Sequence, residues 1–213
     1  EELVSLSVSF TDANGNAAAS PVTITTNGST VLFDKTAPAL IEITAVSTPT
    51  SDNTSDYTFY SSEAGTITYA GDCRSSDTSA DADNNTITFN ALADKTYDDC
   101  IITVTDSTGN TSNNLEVSPF KIDTTAPTLS QVTPVSTPTG DNTPNYTFNS
   151  NEAGTITYGG ACGSSTSSAA TSGDNTVTLT QTDNVTPLDD RTYDNCTIAV
   201  TDNINNTSDN LPV

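Results

Sequence analysis

The chain of 213 residues contains 27 acidic and 5 basic side chains, a formal net charge of −22, and 33% of its residues are hydrophobic. Such a charge excludes nucleic acid and anionic membrane surfaces as partners, and no stretch approaches the 18 or more apolar residues of a membrane-spanning helix. The sequence lacks His, a Gly-x-Ser-x-Gly motif and a Gly-rich phosphate loop, and these absences argue against an enzyme.

The first 33 residues are predicted to be the end of a domain rather than a whole one. The run Thr11-Asp-Ala-Asn-Gly-Asn16 matches Thr105-Asp-Ser-Thr-Gly-Asn110 further along the chain. Alternating apolar residues before that run predict a penultimate strand over 4–10, and a last strand is predicted over 22–33.

Residues 34–213 contain one unit twice. Asp34–Pro38 returns as Asp123–Pro127, and Glu63–Tyr69 returns as Glu152–Tyr158, both 89 residues later. The offset then grows to 90 and to 96 within polar stretches, where loops absorb insertions at little cost. Tandem copies of a small domain usually add length or valency rather than build one catalytic site. The predicted domains are a partial unit, 1–33, and two repeats, 34–123 and 124–213.

Apolar residues in each repeat alternate with Thr and Ser, which is typical of half-buried strands. Thr favours strands and stays soluble, so it suits the outer face. No segment shows a helical period. Six or seven short strands in about 90 residues predict an all-β chain of tandem antiparallel immunoglobulin-like β-sandwiches. The inward pairs predicted for the first repeat are Ile41 and Ile43, Tyr57 and Phe59, Ile67 and Tyr69, Ile87 and Phe89, Ile102 and Val104, and Phe120 and Ile122.

The four cysteines occupy the same two places in each repeat. They allow three disulfide pairings, and one pair per repeat leaves each copy self-contained. We therefore predict bonds from Cys73 to Cys100 and from Cys162 to Cys196, with reduced core thiols as the alternative. Disulfides would indicate an oxidising, exported setting and would stabilise a domain poor in apolar residues.

The repeated motifs also resemble a known family. Ser51-Asp-Asn-Thr54, Glu63-Ala-Gly65, the run over 105–110 and the Asp-x-Thr-Ala-Pro junction are similar to bacterial immunoglobulin-like repeats of the Big and Bap types. Those repeats occur in giant surface adhesins and biofilm-associated proteins. The resemblance covers nearly the whole chain and implies a surface protein, without indicating what any one member contacts.

Acidic residues are predicted to gather at one pole of each sandwich, because strands that alternate in direction bring three acid-bearing segments together there. Clustered carboxylates favour a cation, and calcium takes six to eight oxygen ligands. Two interpretations follow, namely surface acids that solvent screens or an interdomain calcium. Its candidate ligands are Asp34, Glu63 and Asp106 in the first repeat, and Asp123, Glu152 and Asp202 in the second. Asp52, Asp94 and Asp98 are predicted at the opposite pole of the first repeat.

The second repeat ends at Leu211-Pro-Val213 and so lacks a counterpart of Phe120-Lys-Ile-Asp123. One interpretation is a segment of a longer repeat array. The other is that the N-terminal strands of a neighbouring copy complete this repeat by donor-strand complementation, which gives a head-to-tail filament.

These observations predict a non-catalytic module that gives length and stiffness to an extracellular bacterial stalk or filament, with neighbouring copies or repeats as its partners. A carbohydrate-binding adhesin module, with a glycan ligand, is a further alternative. It is less favoured because the loops contain few aromatic residues beyond Tyr60.

Overall fold

The computed structural model describes residues 2–3, 11–16, 32–166 and 168–213. These residues form strands, turns and irregular segments and contain no helix, so the all-β prediction is confirmed for this part of the chain. A helix able to span a membrane is likewise not found there. Most of the strands predicted over 4–10 and 22–33 fall outside the described residues.

All pairs between named strands in the described ranges are antiparallel, and an isolated parallel bridge joins Thr50 to Ile122. The strands are β1 (Glu2–Leu3), β2 (Leu32–Phe33), β3 (Leu40–Thr44), β4 (Asp56–Ser61), β5 (Gly65–Ala70), β6 (Ser79–Ala80), β7 (Asn84–Thr88), β8 (Lys95–Tyr97), β9 (Ile101–Thr105), β10 (Leu115–Glu116), β11 (Phe120–Ile122), β12 (Leu129–Thr133), β13 (Asn145–Ser150), β14 (Gly154–Gly159), β15 (Gly163–Ser164), β16 (Ala169–Ala170), β17 (Gly173–Thr180), β18 (Thr197–Thr201) and β19 (Leu211–Pro212).

Contacts divide the chain into two compact units. The first unit comprises Glu1–Val46, Asp56–Asn90 and Asp98–Pro119, and the second comprises Ser47–Ser55, Ala91–Tyr97 and Phe120–Val213. The second unit therefore contains both sides of the sequence junction between the repeats. The repeat boundaries themselves, 34–123 and 124–213, stay a prediction.

The first unit contains the sheets β3-β4-β7 and β10-β9-β5-β6, and β1 pairs with β2. Most of its predicted inward residues are buried, as the alternation of apolar and polar residues requires. They are Tyr57, Phe59, Ile67, Ile87, Phe89, Ile102 and Val104.

The inward pair predicted for β3 was wrong. Ile41 is 58% exposed and Ile43 is 49% exposed, whereas Glu42 between them is partly buried. Among the described residues, β3 is an edge strand that pairs with β4, and its register shifts between Glu42 and Thr44. The Glu42 carboxylate accepts hydrogen bonds from the Tyr57 hydroxyl at 3.0 Å and from the Ser118 backbone N–H at 2.9 Å. These polar partners turn Glu42 inward, and the alternation of the strand then turns its neighbours to solvent.

The second unit repeats the strand order of the first, with β15 as an additional strand. Its sheets are β12-β13-β17-β15 and β16-β14-β18-β19, and it also contains the pair β11-β8. One buried cluster draws side chains from both four-stranded sheets; its members are Tyr146, Phe148, Ile156, Ala170, Val177, Leu179, Ile198 and Val200. Phe120 and Ile122 of β11 are buried as predicted.

Candidate functional site

Three acidic loops among the described residues share one turn. In each copy an Asp carboxylate accepts the backbone N–H groups two and four residues on, which satisfies donors that the turn leaves unpaired. The three copies begin at Asp12, Asp106 and Asp202. The fourth residue is left-handed in each, with φ of 87° at Gly15, 93° at Gly109 and 73° at Asn205. Gly and Asn tolerate this conformation best.

This turn places Asp106 beside two other acids of the first unit. Asp34 follows β2, Glu63 lies in the turn between β4 and β5, and Asp106 follows β9. One carboxylate oxygen from each of the three lies within 4.8 Å of the others, and all three side chains are partly buried. The structure thus brings together the three acids that the sequence analysis placed at one pole of the first repeat.

Hydrogen bonds hold Asp106 in its charged form. Burial alone would raise the pKa of its carboxyl group, but donors from Asn110 and Thr108 outweigh that effect and lower the pKa to about 2. The Asn110 side chain donates to Asp106 Oδ2 at 2.8 Å and to the Asp34 carbonyl at 3.3 Å. Asn110 therefore ties two of the three acidic segments together.

The counterpart acids of the second repeat do not form such a group among the described residues. Asp202 is buried, and Asn206 links its Oδ2 to the Asp123 carbonyl, both at 2.9 Å. The Asp123 carboxylate, however, accepts the Lys121 ammonium at 2.9 Å. That hydrogen bond and the charges of Asp123, Glu152 and Asp94 raise the pKa of Lys121. A side-chain cation therefore already compensates the acids at this position.

The two repeats differ at the residue that supplies this cation. Lys121 lies two positions before Asp123, whereas the residue two positions before Asp34 is Leu32. The Asp34, Glu63 and Asp106 group thus lacks the lysine that its counterpart has at this position. Carboxylate, amide and carbonyl oxygens are the ligands that suit a hard cation such as calcium. The calcium assignment stays a prediction.

Two of the three acids predicted at the opposite pole of the first repeat, Asp52 and Asp94, accept hydrogen bonds within the second unit. The Asp94 carboxylate accepts the Thr124 backbone N–H at 3.0 Å and the Thr125 hydroxyl at 2.6 Å. These bonds lower the pKa of Asp94, the Thr125 side chain contributing most. Asp52 accepts the backbone N–H of Thr54 at 2.9 Å. Asp94 therefore holds the segment that follows β11 in place through hydrogen bonds.

The structure joins Cys73 to Cys100 and Cys162 to Cys196, with Cα atoms 5.3 and 5.4 Å apart. This is the pairing predicted from one bond per repeat, and the described residues include no free cysteine. A tight turn precedes each bond: Gly71 and Gly160 have φ of 77° and 76°, and a Cβ at either would meet a backbone carbonyl at 1.9 Å. Disulfides of this kind indicate a compartment outside the reducing cytoplasm.

Two residues of these sites were missed by the sequence analysis. Glu42 ties β3 to Ser118, and the hydrogen bonds from Ser118 and Tyr57 outweigh burial and lower the pKa of its carboxyl group. Lys121 neutralises part of the acidic junction. In both cases the sequence contained one signal, because the residue is charged and its counterpart in the repeat alignment is not. The counterpart of Glu42 is Gln131, and that of Lys121 is Leu32.

No protein-family model matches the chain, and no curated protein sequence matches it significantly. The sites must therefore be interpreted from their own chemistry.

Proposed function

We propose that the chain is a non-catalytic structural module of an extracellular bacterial surface stalk or filament, in which tandem immunoglobulin-like sandwiches supply length and stiffness. One observation carries the proposal: the junction between the repeats is held from both sides. Asp94 of the first repeat bonds Thr124 and Thr125, and Asn206 of the second repeat bonds the Asp123 carbonyl. A junction fixed by side chains of both repeats resists bending in a way that a free linker does not.

Further features support the sandwich assignment. In the second unit, two four-stranded sheets contribute to one buried cluster. In the first repeat, the Tyr97 hydroxyl donates to the Ala93 carbonyl at 3.1 Å and accepts the Ala93 N–H at 2.9 Å. A tyrosine that bonds back to the backbone a few residues upstream is a feature of immunoglobulin-like sandwiches. The disulfides are consistent with an exported protein.

Single-molecule stretching tests the mechanical role. We expect two separate unfolding events per molecule, because each repeat has its own core and its own disulfide. Reduction should lengthen the two events by about 95 and 120 Å, since the bonds span 27 and 34 residues and an extended residue covers about 3.5 Å. A single event, or no detectable resistance, would contradict the proposal.

A glycan array separates this function from that of an adhesin module. A structural module should bind no glycan selectively at any protein concentration tested. Saturable binding of one glycan class, lost on unfolding, would favour the carbohydrate-binding alternative.

Calcium is tested by its removal. If the Asp34, Glu63 and Asp106 group binds calcium, chelation should lower the melting temperature of the first unit. At a free calcium concentration 100 times the dissociation constant, the stabilisation that is lost is about 2.7 kcal/mol. The variant Glu63→Gln should remove the response, whereas the matched variant Glu152→Gln should keep it. Melting curves that superimpose with and without chelator would remove calcium from the proposal.

A further inference from the structure

One short segment of the first repeat pairs in parallel with its last strand, although the pairs between named strands are antiparallel. Residues 48–51, which we call the strap, follow β3 along the chain and lie beside β11. An isolated parallel bridge joins Thr50 of the strap to Ile122 of β11. Both segments lie inside the second unit. The bridge therefore joins a segment near the start of the repeat sequence to the strand that ends it.

Three hydrogen bonds among the described residues join the strap to β11 and to Asp123. The Lys121 N–H donates to Thr48 Oγ1 at 2.9 Å. The Thr50 N–H donates to the Lys121 carbonyl at 3.0 Å, and the Asp123 N–H donates to the Thr50 carbonyl at 2.9 Å. Thr50 thus uses both of its backbone groups on this contact, and the Thr48 hydroxyl extends it by one bond.

β11 has a second neighbour on its other side. It pairs antiparallel with β8 over three residues. Phe120 and Ile122 of β11 are buried, and the ring of Phe120 stacks on that of Tyr97 with centroids 5.2 Å apart. β8 lies between Cys73 and Cys100, and the chain between these cysteines cannot be extended while their bond is intact. β11 is therefore held between the strap and a strand that the disulfide protects.

The direction of the pairing decides how tension acts on the contact between the strap and β11. Tension on the two chain ends pulls the strap toward β3 and pulls β11 toward the second repeat. Because the two segments run parallel, these pulls are opposite along one shared axis and load the three hydrogen bonds at the same time. If both segments were pulled from their carboxyl sides, the bonds would break one after another.

β3 is the element that tension from the amino-terminal side reaches before the strap. Among the described residues it pairs with β4, and its register shifts between Glu42 and Thr44. Such a shift locally disrupts the ladder of hydrogen bonds. The strap therefore provides the next hold along the chain after an interrupted one.

The strap also contacts the second repeat. Ser51, its last residue, donates through its hydroxyl to the Ile204 carbonyl at 3.2 Å. Ile204 lies in the turn that begins at Asp202, and Asn206 of the same turn donates to the Asp123 carbonyl at 2.9 Å. The end of the strap and the end of β11 are thus bound to one turn of the second repeat, with no free linker between them.

We propose that the strap and β11 form the load-bearing contact of the first repeat, which resists a pull along the chain and yields to a pull that peels the strap away from its Ser51 end. The contact passes tension from the first repeat to the turn at Asp202 in the second. The inference rests on the proposed structural function and names the contact that carries the load.

The direction of the pull tests this contact without changing it. In one arrangement, single molecules are stretched from both chain ends. In the other, the amino-terminal handle is moved to an azide-bearing amino acid that replaces the exposed Asp52, directly after the strap. The second pull breaks the same bonds one at a time. We expect the first repeat to unfold at about twice the force or more in the first arrangement, because three bonds of similar strength then resist together.

The unfolding event of the first repeat is identified by its disulfide. Reduction lengthens it by the span of 27 residues, whereas it lengthens the event of the second repeat by 34. Unfolding force reports on the rate of unfolding rather than on equilibrium stability, so urea titration is measured beside it to show that every form is folded.

Thr48→Val tests the hydrogen bonds of the contact. It removes the acceptor of the Lys121 N–H and keeps the shape of the side chain. Thr111→Val is the matched control, because the Thr111 hydroxyl bonds that of Thr105 at 2.9 Å, away from the strap. In end-to-end stretching, Thr48→Val should lower the unfolding force of the first repeat by about a third, as one of three similar bonds is lost, and Thr111→Val should leave it unchanged.

Two outcomes would overturn the inference. One is an equal unfolding force of the first repeat in both pulling arrangements, and the other is an equal effect of Thr48→Val and Thr111→Val. If two separate unfolding events persist in either case, the structural function still stands. A chain that shows a single event, or no resistance, would overturn the structural function and the load-bearing contact together.

Discussion

Replacing Cys162 and Cys196 together with Ala should lower the free energy of unfolding of the second repeat by about 3 to 4 kcal/mol. The bond spans 34 residues, so without it the unfolded chain gains the conformational entropy of an open loop of that length. Both cysteines are buried, so their loss also removes packing. Urea titration followed by far-UV circular dichroism measures the change. For a small domain poor in apolar residues, this is a large fraction of the total stability.

The first-repeat pair provides the matched comparison. The Cys73 and Cys100 double variant should lose a similar amount, because its bond spans 27 residues and the loop term varies only with the logarithm of length. Reductant should destabilise both repeats of the native chain and should not affect a chain that lacks all four cysteines. Variants as stable as the native chain under oxidising conditions would show that the bonds add nothing to stability.

Replacing Phe120 with Ala should lower the free energy of unfolding by about 3 to 5 kcal/mol, the usual cost of truncating a buried aromatic side chain. Phe120 is 1% exposed and stacks on Tyr97 with an interplanar angle of 14°. The sequence has no Trp, so tyrosine fluorescence during urea unfolding gives a direct readout.

Lys121→Ala is the control for this variant. Lys121 lies next to Phe120 in β11, but its side chain is exposed and forms a surface ion pair with Asp123. Such a pair contributes about 1 kcal/mol or less. If both variants lost the same stability, β11 would be held by its backbone and charge rather than by its aromatic anchor.

The strand pattern and the disulfide pairing could be predicted from the sequence because they depend on local or repeated features. Alternation marks which face of a strand is apolar, and Tyr57, Phe59, Ile102 and Val104 are buried accordingly. The cysteines recur at the same places of a repeat, so self-contained pairing was the simplest topology. The same turn at Asp12, Asp106 and Asp202 follows from a shared motif.

Other features depended on the tertiary structure. Ile41 and Ile43 face solvent because the inward position of that edge strand is taken by Glu42, whose partners Tyr57 and Ser118 lie 15 and 76 residues away. Whether three carboxylates lie close together depends on the charged side chains beside them. Lys121 pairs with Asp123, whereas the group of Asp34, Glu63 and Asp106 has Leu32 at the corresponding position.

The sequence by itself determined the all-β class, the repeat and the pairing of the cysteines, because each follows from spacing along the chain. The tertiary structure alone decided which acids meet and which side chains of the edge strand β3 face solvent. Burial and charge compensation depend on side chains that are distant in sequence, and no local pattern encodes them.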